Sequence, residues 1–144
     1  MIAVDSNVLL RYLLNDDPIQ SKKAYQLITG NEKVLITDVV LVETIWALKG
    51  KRYKLDKDSI VQILNALFAE PNILFEDNQI VWRALNDYKQ ARPIKIKGKQ
   101  KIADFLDALI VNKARSVGKQ IHKENVMVYT FDKAALQISG AQEP

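Results

Sequence analysis

Apolar residues along this chain fall into short and long runs. The short ones are Met1–Val4, Val34–Ile36, Ile73–Phe75 and Val126–Tyr129. Each is three or four residues long and bounded by polar residues, which predicts buried strands. Between them, apolar residues recur at helical spacing. Val8, Leu9, Leu10, Tyr12, Leu13 and Leu14 predict a short, deeply buried helix over 7–14, stopped by Asn15-Asp16-Asp17-Pro18. Asp17 is a cap and Pro18 suits a first helical position. Ile19–Ile28 reads as an exposed amphipathic helix closed by Gly30. Val39–Lys49 follows, with Thr37 or Asp38 as cap and Gly50 beyond. Ile60, Ile63, Leu64, Leu67 and Phe68 mark the next helix, ended by Pro71; Ile80, Val81, Ala84, Leu85 and Tyr88 mark another, capped by Asp77 or Asn78. Periodicity is lost over 89–101 and returns with Ile102, Phe105, Leu106, Leu109 and Ile110 in a helix reaching Val117. A short helix over 133–138 and a loose tail over 140–144 complete the chain. Strands alternating with helices predict the α/β class: a short, mainly parallel, twisted sheet flanked by helices, in a single domain over residues 1–144.

Length and composition agree with that picture. A chain of 144 residues buries a core without staples. The absence of cysteine excludes disulfides and thiol chemistry. No apolar run approaches the ~20 residues of a membrane span, and no signal or transit pattern is visible. The expected setting is the cytoplasm, with no membrane partner. The net charge of +4 is compatible with a nucleic-acid partner, although its distribution matters more than its sum.

The acids change the picture. Asp5 ends the first strand and Asp132 follows the last one. If these strands are parallel, both project from the carboxyl edge of the sheet, where open α/β sheets place their chemistry. Glu43 lies among Val39, Val40, Leu41, Val42, Ile45 and Trp46, and a carboxylate buried there needs a partner or a metal. Asp107 lies in the helix ending at Val117, with Asp104 three residues earlier on the same face. Carboxylates that converge stay ionised together only beside a cation, or else take up a proton. Oxygen-only ligands favour Mg²⁺ or Mn²⁺ over zinc, and such a site activates water and stabilises a phosphoryl transition state. Each acid also has a plainer reading. Asp5, Ser6 and Asp132 are cap-type residues, Asp104 suits a helix N-terminus, and Glu43 suits a solvated helix face.

Taken in order, Val4-Asp5-Ser6-Asn7 with Val8-Leu9, Val42-Glu43, Asp107-Ala108-Leu109-Ile110 and Thr130-Phe131-Asp132 resemble the motifs of the PIN-domain family, and within it of VapC-type toxins of toxin–antitoxin pairs. The resemblance spans nearly the whole chain. It implies a PIN-like fold and a Mg²⁺- or Mn²⁺-dependent endoribonuclease acting on single-stranded regions of RNA. Asp5, Glu43, Asp107 and Asp132 fall on the family's acidic positions. Asp5, Asp107 and Asp132 then bind metal, and Glu43 assists through water or an added ion. Asp104 is a helper or competes with Asp107 as the third acid. Ser6 and Thr130 orient ligands. No second acid closely follows Asp132, as it does in many relatives. The resemblance further implies a cognate antitoxin and a homodimer.

The stretch 89–101 holds six basic residues and no acid, and reads as a flexible basic loop. Lys95, Lys97 and Lys99 would hold RNA phosphates beside the acids; a solvated or partner-wrapping loop is the plainer reading. Lys51, Arg52 and Lys54 form a lesser basic cluster, and His122 reads as a surface residue. Trp46 and Trp82 occupy core-compatible helix positions and read as packing or interface residues. A different class of function, a non-catalytic RNA-binding or phosphate-regulated Mg-binding α/β domain, would also place acids at strand ends. A switch of that kind wants a lone acceptor Asp on a central strand, and the first-strand Asp5 with helix-borne Asp107 fits it poorly.

Overall fold

The computed structural model describes all 144 residues. They cluster into two compact units, Met1–Asn78 and Gln79–Pro144.

In the first unit, β1 (Ile2–Ala3), β2 (Val34–Ile36) and β3 (Ile73–Phe75) form a parallel sheet in that order. Ile2 pairs with Val34, and Val34 in turn with Ile73. Parallel neighbours need long crossovers, and each crossover here is a helix pair. The first pair is α1 (Ser6–Leu14) and α2 (Gln20–Ile28), and the second is α3 (Asp38–Lys49) and α4 (Lys57–Ala69). Val34, Ile36, Ile73 and Phe75 point into the core with Leu41, Ile45, Leu48, Ile60, Leu64 and Leu67. Each such side chain contributes about 1.5–3 kcal/mol on burial.

Helix starts in this unit follow their caps. Asp5 Oδ1 accepts from the Val8 N–H, Thr37 Oγ1 from Val40, and Asp56 Oδ1 from Ser59. Asp17 Oδ1 accepts from both Ile19 and Gln20, as its cap role requires. The deep burial expected for α1 is corrected. The helix packs on α2 and α3 along one stripe, so Leu9 alone is fully covered.

The second unit holds α5 (Asn78–Gln90), β4 (Ile94–Ile96), β5 (Lys99–Lys101), α6 (Phe105–Val117), β6 (Val128–Tyr129) and β7 (Ala141–Gln142). Asn112 of α6 donates to Asp87 of α5 at 2.8 Å, and Tyr88 meets Phe105 edge-on. Beyond α6 the chain continues through one π-turn, Gly118–His122. A Cβ on Gly118 would collide with Val126 Cγ2, so any side chain here would force Val126 to move.

Several expectations are corrected in this unit. The stretch 89–101 is not a loop: Lys89 and Gln90 finish α5, and β4 and β5 form an antiparallel hairpin. Lys97 and Gly98 both have positive φ, 51° and 78°, which is the type I′ turn of a two-residue hairpin. Helix α6 begins at Phe105 rather than Ile102, because Asp104 caps it. The 133–138 helix is a single 3₁₀ turn, Ala135–Gln137. The tail is not loose: Ala141–Gln142 is a strand, and Glu143 pairs with Lys133. The fourth strand, expected to extend the first three, takes β7 as its parallel ladder partner. Gly140, at φ 104°, makes the return into β7.

The molecule is therefore α/β, with six α-helices and mainly parallel strands. No helix is long and apolar enough to cross a membrane.

Candidate functional site

In the first unit the chemistry begins where β1 runs out. Asp5 is extended, at φ −89° and ψ 177°, and gives one carboxylate oxygen to the Val8 N–H at 3.0 Å. Its other oxygen has no protein partner. Capping and ligation therefore do not compete for the same atom. Ser6, the first residue of α1, donates its hydroxyl to Glu43 Oε2 at 2.9 Å. Ser6 thus orients Glu43 rather than Asp5.

Glu43 itself is exposed, because on α3 the core-facing positions are Leu41, Thr44, Ile45 and Leu48. The burial that its apolar neighbours suggested is corrected: those neighbours divide between the two faces of the helix. Trp46 shares Glu43's side and is 71% exposed, which corrects its reading as a core-compatible position. Ser6, Glu43 and Trp46 line a groove of about 500 Å³. A second hollow, of about 340 Å³, lies beside Asp5, with Arg11 and Lys23 on its wall. Arg11 is committed to Asp16 and Gln20, and the Asp16 hydrogen bond raises the guanidinium pKa further.

In the second unit, Asp104 and Asp107 form a reciprocal capping box. Asp107 N–H donates to Asp104 Oδ1 and Asp104 N–H donates to Asp107 Oδ2, both at 2.9 Å. Asp104 therefore caps the helix instead of sharing its face with Asp107. Burial pushes the Asp107 carboxyl up to about 6, and the charges of Asp104 and then Asp132 add to it, against the lowering bond from the Asp104 N–H. Asp132 Oδ1 accepts from the Ala134 and Ala135 N–H groups at 2.8 and 3.4 Å. Thr130 Oγ1 accepts from the Asp132 N–H at 3.0 Å and so fixes the turn that carries it. Asp104 and Asp107 are thus joined by hydrogen bonds, as are Thr130 and Asp132, and the charge of Asp132 is felt at Asp107.

The hairpin divides the basic residues. Ile94 pairs with Lys101 and Ile96 with Lys99, so these four share a face, while Lys95 pairs with Gln100 on the other. Lys97 sits at the tip. All four lysines are exposed, and their side chains make no ion pair or hydrogen bond. The sequence signals for this arrangement are the alternation Ile94-Lys95-Ile96 and the turn pair Lys97-Gly98.

Neither unit gathers three or more His, Asp or Glu side chains into a group that could hold a metal ion by itself. The donor chemistry in the second unit nevertheless suits a hard cation. Asp107 is a half-buried carboxylate whose ionised form is opposed by two like charges, and its Oδ1 has no protein partner. A divalent cation reverses that opposition and prefers such oxygens.

No curated protein matches the chain. The model of the PIN domain matches residues 2–140, nearly all of the chain and both of its units, so this protein belongs to the PIN domain family.

Proposed function

We propose that the protein is a Mg²⁺- or Mn²⁺-dependent endoribonuclease that cuts single-stranded regions of RNA, and that it serves as the toxin of a type II toxin–antitoxin pair. PIN domains are generally metal-dependent nucleases acting on nucleic acids. The observation that carries the reading is Asp107, whose carboxyl is held at about 6 by burial and by the charges of Asp104 and Asp132. Perturbation of that kind, by desolvation plus specific charges, marks functional sites more often than structural ones.

Asp5, Asp107 and Asp132 are the proposed ligands. Each spends one oxygen on a backbone N–H and keeps the other. Asp104 acts through Asp107, by holding its carboxylate in the capping box. Glu43, oriented by Ser6, accepts a hydrogen bond from a water at the site. Thr130 sets the turn before Asp132. When bound, the cation supplies an activated water and neutralises charge on the phosphoryl oxygens. Lys95, Lys97 and Lys99 hold backbone phosphates. Under this reading the cytoplasmic protein is a homodimer, and an antitoxin covers the acids. The exposed Val39 and Trp46 beside Glu43 give such a partner apolar purchase.

Purified protein incubated with single-stranded RNA tests the reading. Cleavage should appear with Mg²⁺ or Mn²⁺, stop with chelator, and be lost in Asp107→Asn that retains its helical circular dichroism. An Asp107→Asn protein that cleaves like the wild type removes the assignment.

A further inference from the structure

We infer that Tyr129 and Phe131 form a base-stacking subsite, seating the unpaired nucleobases of RNA next to Asp132. The inference rests on the nuclease reading and adds to it the contact that would select single strands.

Met127, Tyr129 and Phe131 alternate along the chain about β6 (Val128–Tyr129), with Phe131 at a bend two residues past Tyr129, and are 48%, 60% and 81% exposed. Val126, Val128 and Thr130 between them are only partly exposed. Side chains of a strand alternate between its faces, so Tyr129 stands on the outward side of β6, and Phe131 follows at the exposed bend that leads to Asp132. The backbone beneath them is tied down. Val128 N–H donates to Gly140 O at 2.9 Å, and Thr130 N–H to Gln142 O at 3.0 Å. Tyr129 is therefore presented on a fixed ladder, and Phe131 follows directly on its last hydrogen bond. Single exposed apolar residues need no explanation, but a contiguous row of them marks an interaction surface.

Two features choose the occupant. Phe131 directly precedes Asp132, whose N–H is bound to Thr130 Oγ1, so ring and carboxylate belong to one ordered turn. The same unit also carries four exposed lysines on the hairpin of β4 and β5, one of them at its tip, which suit a polyanion and not another basic or apolar surface. Aromatic faces for bases with cations for phosphates are the two halves of single-strand recognition. A duplex keeps its bases stacked inside and offers nothing to these rings.

The test measures binding in chelator, apart from cleavage. The probe is a short fluorescein-labelled single-stranded RNA of mixed sequence, alone and annealed to its complement. Phe131→Ala should weaken binding of the single strand about 5- to 150-fold, the loss of one stacked base, and leave duplex binding unchanged. Tyr129→Ala should act in the same direction. Phe131→Trp should restore the affinity and Phe131→Leu should not, because stacking needs a π-face whereas protein–protein packing accepts leucine. Sedimentation of the wild type and Phe131→Ala gives the assembly state. If Phe131→Ala binds the single strand like the wild type, the subsite is refuted, while wild-type cleavage would leave the nuclease reading standing. If leucine rescues, or only the assembly state changes, the surface belongs to a protein partner and the inference falls. If the wild type neither binds nor cuts RNA, both readings fall.

Discussion

At the scale of single residues, Asp107 shows how one side chain serves structure and chemistry together. Its Oδ2 completes the capping box, and its charge is opposed by burial and by two neighbouring acids. Asparagine at this position keeps an acceptor for the Asp104 N–H and loses the charge. The folded-state pKa of about 6 lies above the ordinary 3.8, so the folded chain binds this proton more tightly than the unfolded one. Stability from that proton is fully present below the ordinary value and is lost as the pH rises through about 6. Asp107→Asn should therefore gain on the wild type as the pH climbs across that window. Thermal melts of both proteins in chelator would show it, and parallel melting curves would contradict it. Ser6→Ala is a milder case. A hydrogen bond of this kind is worth about 0.5–1.5 kcal/mol, so cleavage should drop several-fold with folding intact, and Ser6→Thr should recover most of it. Equal rates for Ser6→Ala and wild type would leave the Ser6–Glu43 bond without a catalytic part. From sequence alone Asp104 and Asp107 looked like equal residues on one helix face. Only the start of α6 at Phe105 separates the cap from the residue it caps, and helix starts depend on backbone geometry more than on periodicity.

Among the elements, helices and core strands were readable where apolar spacing was strong. Leu64 and Leu67 on α4, or Leu85 and Tyr88 on α5, are buried as their positions required. The hairpin was hidden by its own charge. Its strands are three residues each and carry only Ile94 and Ile96 as apolar markers, so the stretch read as a flexible basic loop. β7 was missed for a related reason: two residues beyond Gly140 hold no pattern, and their pairing with β6 is a long-range fact. The hairpin carries its own prediction. Replacing Lys95, Lys97 and Lys99 together with alanine should weaken RNA binding and lower the log–log salt slope by about 0.7 for each phosphate that a lysine no longer neutralises. Because the three lysines lie on two faces and a tip, single variants should not contribute equally. An unchanged slope for the triple variant would dismiss the hairpin as an RNA-binding element. Gly98→Val forces a β-branched residue to φ 78°. It should reduce RNA binding in the same assay while the core melts unchanged, since nothing lies within 4 Å of the position its Cβ would take.

For the whole molecule, the family match spans residues 2–140 and so covers both compact units. That much was legible because four short motifs kept their order along the chain. The biological role is a proposal, and Asp5 offers the cleanest test of it. Asparagine caps a helix about as well as aspartate, so Asp5→Asn should keep α1 and the sheet intact while removing one proposed metal-binding charge. Overproduced without a partner, the wild-type chain should slow the growth of its host, and Asp5→Asn should restore it at equal protein level. Purified Asp5→Asn should melt within a few degrees of the wild type in chelator, yet lose metal-dependent cleavage by orders of magnitude, consistent with the several kcal/mol a catalytic cation contributes. Growth curves alone would confuse toxicity with the burden of expression, so the variant's abundance and melting temperature must accompany them. If folded wild-type protein accumulates freely in an otherwise unaffected host, the toxin role fails. Cleavage of RNA by that same protein in vitro would then leave a nuclease whose activity is not directed at its host.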